Sequence, residues 1–321
     1  MLEVVSVSLG SSSRDTDQVV ELLGRQVRLR RVGADGDLAR AEALVRELDG
    51  KVDAFGLGGL DLYFPIRGRR YYLRDALRLA RAAQRTPAVC GAGLKETLER
   101  RAVRALAPRL GLETKQVLMV SAVDRFGMAE ELYRAAGGVT FGDLVFALGV
   151  PVGLHRLATL ERIARLLLPV MTRVPIAWLY PVGAAQEKEP NTARFARYYD
   201  RADVIAGDWH FIKRYAPEDL AGKVLVTNTT TLADLEFMRR RGVATLVTTT
   251  PRYGGRSIST NLLEAAFVAL EGAGAELTPE RYAALIEEAR LEPTVMDLSA
   301  PAEGAPETGA LPAAGEPVPT A

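Results

Sequence analysis

Short apolar runs rich in β-branched residues alternate with segments of 3.6-residue periodicity along nearly the whole chain. No other feature restricts the fold as much. Strand, helix, strand on one sheet makes a parallel pair, with the helix covering a face of that sheet. In the first half, Glu3–Leu9, Gln26–Val32, Val52–Gly56, Pro87–Cys90 and Gln116–Ser121 read as strands. Leu62–Phe64 and Arg70–Leu73 flank an Arg67-Gly68 turn and read as a hairpin. Asp37 caps a helix through Leu48, in which Leu38, Ala41, Leu44, Val45 and Leu48 share one face. Asp15–Gly24, Asp75–Ala83, Lys95–Leu106 and Asp124–Ala135 also read as helices.

Gly137, Gly138 and the short apolar Val139–Phe141 mark the expected domain boundary. Beyond it, Leu144–Leu148 reads as a strand, followed by a glycine turn and a helix from about His155 to Leu168. Pro175–Tyr180, Asp203–Ala206, Lys223–Thr227 and Ala244–Thr248 read as further strands. Thr192–Tyr199, Leu232–Arg240, Asn261–Leu270 and Pro279–Ala289 read as helices, and Pro181–Pro190 as a loop. From Asp297 the composition turns to Ala, Pro, Gly, Glu and Thr, which implies a disordered tail over 297–321. The expected fold class is therefore α/β, with two domains of mainly parallel sheets over 1–141 and 142–296.

The charges nearly cancel, at 41 basic against 40 acidic residues, which argues against a nucleic-acid partner. No apolar run reaches membrane-spanning length, so no membrane partner is expected. One cysteine, Cys90, excludes an internal disulfide framework and suggests a cytoplasmic location. With His155 and His210 as the only histidines, a zinc site is not expected. The expected partner is a small molecule, and a homodimer is the expected assembly.

In an open parallel sheet, ligands bind at the carboxyl ends of the strands. Several strand ends here carry polar residues. Gly149, Val152 and Gly153 form a turn before a helix, which is where a pyrophosphate would meet free amides. Such a unit makes the second domain Rossmann-like, although Pro151 removes one amide donor. Asn228, Thr229 and Thr249 follow two other strands and join Gly149, Val152 and Gly153 as candidate cofactor contacts. The plain alternative for the threonines is hydrogen bonding to nearby backbone. Lys95 and Asp124 each begin at a strand end and form a candidate proton-transfer pair. Alternatively, Lys95 opens a solvated helix face and Asp124 is an N-cap. Arg252 and Arg256 could grip a carboxylate or phosphate, whereas Glu187 is seven residues past its strand, so an acidic ribose contact and the choice between NAD and NADP are not read from it.

The order of these features resembles the shikimate/quinate dehydrogenase family, including bacterial proteins labelled quinate 5-dehydrogenase. GAGLKE keeps the Lys95-Glu96 end of that family's NVTxPxKE motif without the V-T-x-P. DRFGMAEEL keeps Asp124, Gly127 and Leu132 of NTDGxGxxxxL without the N-T. The Asn261–Leu270 segment is similar to the family's substrate helix, with Glu264 at the glutamine position. Ser11 and Ser13, or Ser6 and Ser8, would stand for the S-x-S that holds a substrate carboxylate. The resemblance implies a substrate-binding domain at 1–141 and a dinucleotide-binding domain at 142–296 whose last helices pack back on the first. It implies an NAD(P)-dependent oxidoreductase using NAD or NADP on a quinate- or shikimate-type cyclic hydroxy acid. Lys95 and Asp124 would be catalytic, and Ser11, Ser13, Asn261 and Glu264 would bind substrate. The competing expectation is a non-redox, two-domain ligand-binding protein that lost dinucleotide chemistry. A third is an enzyme that uses the strand-end threonines on a phosphorylated substrate.

Overall fold

The computed structural model describes residues 1–175, 195–253 and 256–299, without the side chains of Arg252, Tyr253 and Arg256. The first sheet is built from β1 (Leu2–Ser8), β2 (Thr16–Leu22), β3 (Arg25–Gly33) and β4 (Ala54–Gly58). After a separate hairpin of β5 (Tyr63–Ile66) and β6 (Arg69–Tyr72), β7 (Ala88–Val89) completes it. The order is β2-β3-β1-β4-β7, and every pair except β2-β3 is parallel.

Asp15–Gly24, expected as a helix, is mostly strand β2. Leu22 pairs with Arg25 across a two-residue turn, Leu23-Gly24, with φ of 53° and 70°. Two positive φ values are what a tight hairpin turn requires. Val20 and Leu22 point inward at the strand period, while Val19 is exposed.

The second sheet contains β8 (Gln116–Met119), β9 (Gly138–Phe141), β10 (Val204–Ala206), β11 (Val224–Thr227) and β12 (Thr245–Thr248). After the short β13–β14 pair (Arg252–Tyr253 with Arg256–Ser257), β15 (Thr294–Asp297) closes its edge. The order is β15-β12-β11-β10-β8-β9, antiparallel only at β15. Because β8 and β9 already belong to this sheet, the division expected between Phe141 and Gly142 does not separate the two sheets. The chain is an α/β protein of two domains with mainly parallel sheets.

Both sheets are covered on both faces, as parallel sheets require. In β8, Val117 and Met119 pack in the layer that holds Phe126 and Leu160, whereas Leu118 packs in the layer of Trp209 and Phe237. The helix Thr260–Leu270 lies on β4 and β1 of the first sheet. Its approach is so close that a Cβ on Gly56 would stand 2.6 Å from the Asn261 carbonyl oxygen. One on Gly91 would stand 2.7 Å from the Asn261 amide. Close packing of this helix calls for glycine at both positions, and Gly91 also has a φ of 91°, which L side chains rarely adopt.

The strand expected at Leu144–Leu148 is instead a one-turn helix, Asp143–Phe146. A short apolar run cannot distinguish the two by periodicity. Asp143 decides the outcome, because its Oδ1 accepts the amides of Ala122 and Val123, both at 2.9 Å. The strand expected at Pro175–Tyr180 lies outside the described residues beyond Pro175. So do the loop Pro181–Pro190, Glu187, the start of the Thr192–Tyr199 helix and the tail from residue 300. The side chains of Arg252 and Arg256 lie outside them as well. No helix among the described residues is long and apolar enough to cross a membrane.

Each sheet has a point where the strand order reverses. β1 has β3 on one side and β4 on the other, and β8 likewise separates β9 from β10. Chain leaving neighbouring strands at such a point diverges and opens a crevice at the carboxyl ends. Residues from both crevices line one cleft.

Candidate functional site

The cleft has a volume of about 180 Å³. The first sheet contributes Ser6 and Ser8 of β1 and Leu57–Asp61 at the end of β4. The second contributes Asp124 and Arg125 after β8, Asp208 and His210 after β10, and Asn228 and Thr229 after β11. Asn261, at the start of the late helix, completes the wall.

Lys95 and Asp124 do meet here, but as parts of a larger charge cluster. The Lys95 ammonium donates to Asp61 Oδ1 at 2.7 Å, and its approach to Asp124 is to the backbone oxygen, at 3.4 Å. Burial works against the lysine's charge, yet Asp61 with Asp124 and Glu99 overcomes it and raises its pKa. A proton-accepting amine is therefore not available near neutrality.

Arg125 is the centre of the cluster. Only 3% exposed, it donates from Nη1 to Glu99 Oε1 and from Nη2 to Asp208 Oδ2, the latter at 3.2 Å. Its Nε stands 3.7 Å from Asp124 Oδ2. Burial pushes the Asp124 carboxyl up to about 7 against the pull of Arg125 and Lys95. Asp124 Oδ1 is buried and has no hydrogen-bond donor among the described residues. Cys90 also lines the cleft, but burial raises its pKa and makes it a poor nucleophile.

His210 ties the two halves together. One of its ring nitrogens, Nε2, is 2.8 Å from Arg14 Nη1, and its backbone amide donates to Asp208 Oδ1 at 2.8 Å. Facing a permanent cation, Nε2 must be the acceptor, so the ring is neutral. Burial lowers its pKa to about 4, opposed by Asp208 and assisted by Arg14. An unfolded histidine, near 6.5, binds a proton that the folded one refuses. The contribution of this group is therefore present above pH 6.5 and is lost as pH falls towards 4. The His210→Gln variant is expected to gain on the wild type in urea midpoint between pH 7.5 and pH 4.5. Midpoints that fall in parallel would rule out a neutral buried His210.

Other expected contacts lie elsewhere. Ser11 and Ser13 form a surface 3-10 turn, in which the Ser13 amide donates to Ser11 Oγ. Ser6 and Ser8 occupy the cleft instead, with Ser6 Oγ 2.7 Å from Asn261 Nδ2. Glu264 is fully buried outside the cleft and caps the Ala92–Leu110 helix, accepting the amides of Gly91 and Leu94. Asn228 and Thr229 reach the cleft, but Thr249 is buried and does not line it. Asp61, Arg14, Arg31, Arg125 and Asp208 were not singled out by sequence. Their one sequence signal was position, because Asp61, Arg125 and Asp208 all follow strand ends.

Gly149, Val152 and Gly153 do not line the cleft. The Gly149 and Val150 amides turn back onto the Val145 and Leu144 carbonyls. Those of Val152 and Leu154 bond to Val150 and Phe141. With Pro151 lacking an amide, this turn has no set of free donors for a pyrophosphate. Gly153 is needed for packing, since a Cβ there would lie 2.6 Å from Thr140 Cγ2.

Residues 93–298 match the family model described as Domain of unknown function (DUF8754). The chain belongs to that family. Residues 3–90 match a second model, Domain of unknown function (DUF8753). No curated protein matches. Among solved structures, the chain is similar to a sugar ABC transporter from Yersinia enterocolitica subsp. enterocolitica 8081, at 11% identity and TM-score 0.37, over 93% of this chain and 84% of that one. A sugar ABC transport system substrate-binding protein from Bordetella parapertussis 12822 matches at 11% identity and TM-score 0.39, over 93% and 90%. The periplasmic binding protein component of the arabinose ABC transporter from Shewanella sp. ANA-3 matches at 11% and TM-score 0.35, over 90% and 96%.

These are likenesses of layout alone, and the expectations are corrected by the family models and the site itself. The family models that match are DUF8754 and DUF8753, not a shikimate/quinate dehydrogenase family, and Asp61 holds the Lys95 ammonium as a fixed cation, so the oxidoreductase assignment falls. The NAD or NADP cofactor falls with it, in agreement with the bonded amides of the Gly149–Gly153 turn. The cytoplasmic expectation is withdrawn too, because a lone buried cysteine fits a reducing or an oxidising compartment.

Proposed function

We propose that the chain is a non-redox binding protein that holds a small polar, polyhydroxylated molecule in the cleft between its two sheets. One observation carries this proposal: Asp124 Oδ1 is buried at the cleft and lacks a donor among the described residues, while Lys95 and two nitrogens of Arg125 donate to other carboxylates. A buried acceptor without a partner costs about 1–3 kcal/mol, more when charged, and a ligand hydroxyl donating to it recovers that cost.

The cations favour a neutral ligand over a phosphorylated one. Lys95 is held by Asp61, Arg125 by Glu99 and Asp208, and Arg31 by Asp15. Arg14 is engaged by the His210 ring. Ser6, Ser8, Asn228 and Asn261 add neutral donors and acceptors, and Phe211 offers an apolar face for the carbon skeleton. The volume of about 180 Å³ is below the roughly 300–1,000 Å³ of drug-sized sites.

Thermal unfolding in the presence of single pentoses, hexoses, cyclitols, hydroxy acids, NAD and NADP tests the proposal. At a hundredfold excess over its Kd, a ligand of the native state adds about 2.7 kcal/mol, a shift of several degrees. At least one polyhydroxylated molecule is expected to give that shift, with neither dinucleotide doing so. A shift with NAD or NADP alone would overturn it.

A further inference from the structure

A second concavity lies away from the cleft, between the β5–β6 hairpin, the Arg74–Ala80 helix and the end of the Leu157–Met171 helix. It encloses about 550 Å³. Arg69, Arg70, Arg74, Arg81 and Arg173 line it. Among the described residues only Arg70 has a carboxylate partner, Glu276 at 2.7 Å. The other four side chains form no ion pair there. The whole chain carries a net charge of only +1, so this concentration of unpaired guanidinium is local. Tyr71 lines the same concavity with its ring beneath the Arg69 guanidinium, at 4.9 Å. The residue is 5% exposed, and its hydroxyl is buried without a hydrogen-bond partner among the described residues.

Four unpaired cations around one hollow repel one another, and a buried phenol without a partner is costly. A compact multivalent anion relieves both. Guanidinium forks match phosphate oxygens in paired hydrogen bonds, while a phenol donates a single one. We propose that this groove binds a small molecule bearing two or more phosphate groups, gripped by Arg69, Arg74, Arg81 and Arg173, with Tyr71 donating to one oxygen. The site is separate from the cleft and does not depend on what the cleft holds.

Calorimetric titration of the full chain with inorganic phosphate, pyrophosphate, tripolyphosphate and ATP tests this. Affinity is expected to rise along the first three. Tighter binding of ATP than of tripolyphosphate would identify a phosphorylated metabolite as the source, and the reverse a free polyphosphate. The Arg74→Gln/Arg173→Gln pair should weaken tripolyphosphate binding tenfold or more. Tyr71→Phe should weaken it severalfold while the melting temperature of the free protein is equal to or above that of the wild type, whereas loss of a merely structural hydrogen bond would lower it. Absence of saturable binding, full affinity in the double arginine variant, or displacement of tripolyphosphate by duplex DNA at far lower concentration would each overturn it.

Discussion

Arg125→Leu should destabilise the fold by about 3–5 kcal/mol, because it removes one side of a buried ion pair and leaves the other unpaired. Glu99, 1% exposed, would lose its guanidinium, and Asp208 and Asp124 would lose a neighbouring cation. Urea unfolding of the single variant should show a much lower midpoint with little change in slope. Arg125→Leu/Glu99→Leu should recover a large part of the loss, since replacing a whole buried pair with apolar residues is often close to neutral. A single variant within about 0.5 kcal/mol of wild type would show that Arg125 is not the organising cation.

The second large effect concerns Glu264. Leucine at this position would leave the Gly91 and Leu94 amides buried without acceptors, at about 1–3 kcal/mol each. The expected loss is therefore about 2–5 kcal/mol, read from the urea midpoint. Glu264→Gln keeps one carbonyl oxygen and should lose less than half as much. Burial, with the nearby Glu276, pushes the Glu264 carboxyl up to about 7. The folded state then holds a proton that the unfolded state releases above 4.5, so this group's contribution declines as pH rises from 4.5 towards 7. If Glu264→Leu were as stable as Glu264→Gln, the capping role would be wrong.

Much of the fold was legible because strand and helix periods differ and long periodic segments seldom mislead. Asp37 and Leu38–Leu48 behaved as written, and so did the hairpin around Arg67-Gly68. The misread segments were short. Leu144–Leu148 carried no period of its own, and its state follows from a carboxylate that bonds to amides some twenty residues earlier. Strand β2 offered only Val20 and Leu22 as inward residues, and its turn needed positive φ at a leucine.

At the site, sequence position placed Lys95, Asp124, Asn228, Thr229 and Asn261 at one cleft. It could not assign partners. Asp61 rather than Asp124 holds the lysine ammonium, and that one difference turns a candidate base into a fixed cation. Glu264 matched a binding position in a motif, yet its carboxylate is consumed by a helix end 170 residues away. Arg14 meets His210 across the cleft because two sheets face each other, a relation with no local signature.

Binding at Asp124 is the central claim, and calorimetry of the best-stabilising polyhydroxylated compound with wild type and Asp124→Asn tests it most directly. A hydrogen bond to a charged group contributes about 1.5–3 kcal/mol. Affinity should therefore fall about 10- to 100-fold in Asp124→Asn, with the melting temperature of the free protein not lowered. Equal affinity in the two proteins would contradict a ligand held at Asp124.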